Sequence, residues 1–99
     1  MRRFRVVING QGFYVSLDGA PPERLGFYAT RFVEAADEQA AELAAVDVLR
    51  RQYRDIVRNE RSDPPRMFLH EIDEVESFDG LEVEPPGEGA TWYAEDDDG

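Results

Sequence analysis

The chain predicts an α+β fold: a three- or four-stranded, mostly antiparallel sheet with one long helix on one face, in the order ββ–β–α–β–(β). Three observations predict it. Two β-rich runs, FRVVI and QGFYV, flank Asn9-Gly10 near the N-terminus. Residues 37–59 carry the longest helical periodicity. Clusters rich in Pro, Gly, Asp and Ser separate the apolar runs, and such clusters break strands and helices.

The elements follow in order. Asn-Gly is a preferred pair for a two-residue type I′ turn, so the first two runs read as a hairpin. That register places Ile8 opposite Gln11, Val6 opposite Phe13 and Phe4 opposite Val15. Directly opposed residues share a face, which makes Phe4, Val6, Ile8, Phe13 and Val15 one apolar surface and leaves Arg3, Arg5, Val7, Tyr14 and Ser16 on the other. Residues 18–24, DGAPPER, form a loop, and residues 25–35, LGFYATRFVEA, a third strand with apolar members on both faces. Asp37 is the expected N-cap of the helix, with Glu38 in its first turn. Six alanines between 35 and 45 favour close approach to the sheet, and the apolar stripe shifts near residues 51–53, where a kink or break is expected. Residues 62–65, SDPP, stop the helix. Residues 66–73 form a fourth strand, residues 75–89 a loop, and residues 91–95 a short edge strand before a disordered DDDG tail. Residues 1–79 are expected to be a single α+β domain, with residues 80–99 an acidic C-terminal segment.

Charge is distributed unevenly. Of the 22 acids and 11 bases, residues 62–99 hold thirteen acids and one Arg, whereas residues 1–33 hold five Arg and two acids. A net charge of −11 opposes general nucleic-acid binding, because a phosphate backbone would be repelled. Every base is Arg, as in a chain from a GC-rich bacterium. No run approaches the length of a membrane span. The apolar stretch after the leading arginines is too short for a signal peptide, so cytoplasm is the expected location. Without Cys there is no disulfide and no thiolate metal site.

Catalytic, cofactor and metal sites are not expected. His70 is the one histidine; on a regular strand Glu71 points away from it, and a half-buried structural role accounts for it best. The carboxylates lack the spacing of a calcium loop, and no Ser or Thr sits in a nucleophile elbow. Two features remain. The outer sheet face collects Arg5, Tyr14, Tyr28 and Phe32, with Arg31 nearby, as a candidate interface; Arg5 opposite Tyr14 permits a cation–π contact. The row Arg50, Arg54, Arg58 shares one helix face and suits an acidic partner, the chain's own acidic third being the nearest supply.

Residues 26–45, GFYATRFVEAADEQAAELAA, resemble a group of short uncharacterised bacterial proteins. Residues 3–52 are more loosely similar to the HicB-type antitoxin domain, in which an N-terminal hairpin, a third strand and an Ala/Glu-rich helix occur in that order. The chain departs from that family in having no Cys in APPERLG and no DNA-binding segment after Pro65. The resemblance implies neutralisation of a basic toxin. The residues themselves point first to a non-catalytic protein-interaction or regulatory domain, with a protein partner or a second copy on the aromatic sheet face. A small enzyme using His70 with a carboxylate is the remaining alternative.

Overall fold

Asn9-Gly10 does not turn. In the computed structural model, which describes residues 1–95, both expected hairpin arms belong to one strand, β1(Arg2–Val15). It is followed by β2(Glu23–Ala35), α1(Glu38–Gln52), β3(Arg66–Val75) and β4(Thr91–Ala94). The sheet is antiparallel throughout, in the order β3-β1-β2-β4. The fold is thus α+β, with four strands and one helix, and two long strands rather than three shorter ones precede the helix.

Pairing explains why the turn loses. As a hairpin, each arm of residues 4–15 would hydrogen-bond to the other; as a central strand, the segment pairs with β2 on one edge and β3 on the other. The face assignment nevertheless survives. A one-residue bulge between Gly10 and Phe13, with Gly12 at φ +70°, shifts the alternation once. Phe4, Val6, Ile8, Phe13 and Val15 therefore all lie buried beneath the helix. Phe27 lies wholly buried opposite Gly10, where a Cβ would clash with its ring, so the strand needs glycine at this position.

The helix begins as expected: Asp37 is extended and its Oδ1 accepts from the Ala40 N–H at 2.8 Å. Ala41, Ala45 and Leu49, one turn apart, are its buried row, the two small alanines favouring close approach to the sheet and Leu49 filling the core beyond them. It ends at Gln52, where the stripe shifts, with the Tyr53 N–H donating to the Leu49 carbonyl. Arg54 and Arg58 consequently lie beyond the helix, and the expected single-face arginine row does not form. The chain then rejoins β1, with Ser16 N–H donating to the Ile56 carbonyl and Arg58 N–H to the Tyr14 carbonyl, at 3.0 and 2.7 Å.

Because β3 and β4 lie at opposite edges, residues 76–90 must cross the sheet. They do so over one end of the face away from the helix: Arg3 Nη1 donates to the Glu76 carbonyl at 3.2 Å, and Phe78 packs edge-on against Phe32 at 5.9 Å. The expected edge strand is present as β4, and its Trp92 closes the core against Phe27 and Tyr53 at 5.2 and 5.3 Å between ring centroids. The expected disorder of DDDG falls outside the described residues. Among the described residues no helix is long and apolar enough to cross a membrane.

Candidate functional site

The face away from the helix is built from alternate residues of the strands. Register places Arg3, Arg5 and Val7 of β1 there, with Tyr28 and Phe32 of β2 and Tyr93 of β4. A second bulge, where β3 slips between Val7 and Ile8, modifies the alternation at His70. His70 therefore stands on the same face as Glu71, whereas regular alternation would have separated them. Its ring meets Tyr28 edge-on at 5.0 Å, and Tyr93 lies on the other side of Tyr28 at 5.7 Å.

Tyr93 is fixed from below. Its hydroxyl accepts from Asn9 Nδ2 at 3.0 Å and donates to the Gly10 carbonyl at 3.4 Å. Asn9 Nδ2 also donates to the Phe27 carbonyl at 3.0 Å, and Gln11 Nε2 donates to Asn9 Oδ1 at 2.7 Å. Gly26 is the neighbour that makes room, since a Cβ there would strike the Tyr93 ring. Asn9 and Gly10 thus serve a buried polar support instead of a turn. Above this support Tyr28 and Phe68 stay 41% and 45% exposed, two aromatic side chains on the same face.

The four expected interface residues are dispersed along this face. Tyr28 is at its centre. Phe32 is half-buried by Phe78. Arg5 faces Phe32 and Asp73 rather than Tyr14, and Tyr14 stands at the far end of β1, about 30 Å along the strand. Arg31 is not on this face at all; it points to the helix side and is 1% exposed.

Arg5 Nη1 donates to Glu71 Oε2 at 2.6 Å and to Asp73 Oδ2 at 3.3 Å. Arg2 holds Glu74 through two bonds, at 2.9 and 3.2 Å. These guanidinium hydrogen bonds hold the Glu71 and Glu74 carboxyls below the usual carboxylate range. The acidic third is thus engaged by β1 and, through Arg24–Asp63 at 2.5 Å, by β2. Among the described residues no ion pair reaches Arg50, Arg54 or Arg58; Arg58 Nη1 donates to the Asp55 carbonyl at 2.5 Å.

Comparison with protein-family models, curated proteins and solved structures finds no match. The chemistry of the face therefore has to speak for itself. Among the described residues no group of three His, Asp or Glu side chains could hold a metal ion. Among the strand-borne residues of the face formal charge balances, Arg3, Arg5, Arg24 and Arg66 standing against Glu34, Glu71, Asp73 and Glu95, while the acids of the crossing segment lie towards one end. In a chain of net charge −11 the centre of this face is locally balanced and carries aromatic side chains. Sequence reading missed His70, Tyr93 and Phe68 as members, because only the bulge and the β4 pairing bring them to this face. The NG dipeptide marked the right place, but as a turn.

Proposed function

We propose that the protein is a non-catalytic interaction domain that self-associates through the face of its sheet opposite the helix. The observation that carries this reading is the aromatic group of Tyr28, His70, Tyr93 and Phe68 on a charge-balanced face. Tyrosine and phenylalanine are enriched at interface centres, where charged side chains are depleted. A second copy suits the face better than a nucleic acid: the chain's net charge of −11 repels phosphates, whereas two copies can meet where local charge cancels.

Size sets the strength. The strands' combined length at ordinary strand spacing gives a face of roughly 700 Å², and the crossing segment at Phe78 takes part of it. That is somewhat less than the ~800 Å² per partner of a standard interface, so association is expected at the weak, concentration-dependent end. Tyr28→Glu with Phe68→Glu, both exposed changes, is expected to abolish self-association while leaving the circular dichroism spectrum unchanged. A wild-type chain that stays monomeric at roughly 200 µM refutes the reading.

A further inference from the structure

On the helix side of the sheet, away from the proposed dimer face, lies a cleft of about 480 Å³. It sits between the C-terminal half of α1 and the start of β3. Leu49 and Phe13, both buried, lie at its apolar base. Val46, Tyr53, Val57 and Met67 are partly buried walls, and Pro64 and Pro65 bound the side towards β3. Arg50 and Arg54 also line it and are both exposed. Neither makes a hydrogen bond or ion pair among the described residues, although acids outnumber bases 22 to 11. Arg2, Arg5, Arg24 and Arg51 stand in ion pairs and Arg31 is held by carbonyl, amide and hydroxyl oxygens, while Arg61 and Arg66, likewise without an ion pair among the described residues, do not line the cleft.

We propose that this cleft binds a small amphipathic carboxylate, an apolar tail or ring bearing one anionic group. The volume is within the ~300–1,000 Å³ of small-molecule sites, which combine apolar walls with a few polar anchors. The apolar part covers Leu49, Phe13 and Met67, and the carboxylate meets the planar forks of Arg50 and Arg54, whose geometry matches it. The negative pole at the end of α1 opposes an anion by roughly half a unit charge, and two guanidinium charges outweigh it. A cation or a neutral molecule of the same shape lacks that attraction.

Titration of the ¹⁵N-labelled full chain with decanoate, followed by amide shifts, tests the site, with decanol as the neutral probe of equal length. Decanoate is expected to give saturable shifts confined to residues 46–57 and 64–67 and to bind about tenfold or more tighter than decanol. Arg50→Gln with Arg54→Gln should erase that preference and leave decanol binding as it was. Both changes are on exposed side chains, so the fold is retained, and the unliganded spectrum verifies it. Absence of saturable shifts, shifts spread over the whole molecule, or equal affinity for decanoate and decanol overturns the proposal. So does a double variant that binds decanoate as the wild type does.

Discussion

Arg31 is a charged side chain with almost no solvent contact, in the middle of a strand and on the core face. Nε donates to Gln52 Oε1 at 2.9 Å, Nη1 to the Thr30 and Gly89 carbonyls at 2.8 and 2.7 Å, and Nη2 to the Tyr53 hydroxyl at 3.1 Å. No carboxylate pairs with it among the described residues; the end of α1, with its negative pole, lies beside it through Gln52 and Tyr53. Gln52 Nε2 in turn donates to the Gly87 carbonyl at 2.7 Å, so one guanidinium ties β2, the helix end and the approach to β4 together. Arg31→Met leaves these acceptors without their donor and should cost about 3 kcal/mol, read as a lower urea midpoint. Arg31→Lys should recover little of it, because an ammonium cannot reproduce the flat fork. A loss below about 1 kcal/mol for either would show that the network is dispensable. Nothing in the sequence sets this arginine apart except its parity with Phe27, Ala29 and Val33.

At the level of elements, the two glycines of NGQG separate the observed strand from the expected hairpin. A type I′ turn needs positive φ at Asn9 and Gly10; here the positive φ belongs to Gly12, at +70°, and Gly10 is needed for space above Phe27. Gly12→Ala should therefore cost about 1 kcal/mol from backbone strain alone. Gly10→Ala should cost more, about 2–3 kcal/mol, because the Phe27 ring must move within a filled core. Thermal unfolding of the two variants checks the order, and equal or reversed losses would contradict it. The turn and the bulge shift alternation by the same single step, so the five apolar residues of β1 were legible as one face while their connectivity was not. The helix cap at Asp37 and the break after Gln52 were readable because both depend on neighbours in sequence. The bulge at His70 was not, since it arises from pairing with a strand some sixty residues away. The ion pairs joining β3 to β1 add a pH signature. Glu71 and Glu74 have folded-state carboxyls held below their unfolded values by Arg5 and Arg2. Their contribution is present above the unfolded carboxylate range and fades as pH falls through the depressed folded values. Glu71→Gln with Glu74→Gln should thus flatten the fall in unfolding midpoint below about pH 5; an unchanged acid profile would exclude these pairs as its source.

At the scale of the whole molecule, charge and topology act together. Residues 62–95 supply two of the four strands seen among the described residues, one at each edge, so the acidic third frames the sheet, although most of its acids stand outside the strands. Its pairs with Arg5 and Arg24 fall on the face away from the helix and its pair with Arg2 on the helix side, and among the described residues none reaches Arg50 or Arg54 beside the cleft. The two faces thereby acquire different chemistry: aromatic and balanced on one, apolar with two unpaired cations on the other. A composition of net −11 concealed this division, because it depends on which arginine meets which acid. Sedimentation equilibrium over a concentration series tests the central claim most directly. The mass should rise with concentration from 11.3 kDa towards twice that value, and stay at 11.3 kDa in the Tyr28→Glu, Phe68→Glu variant. A wild-type mass fixed at 11.3 kDa, or a variant that associates as the wild type does, would contradict it.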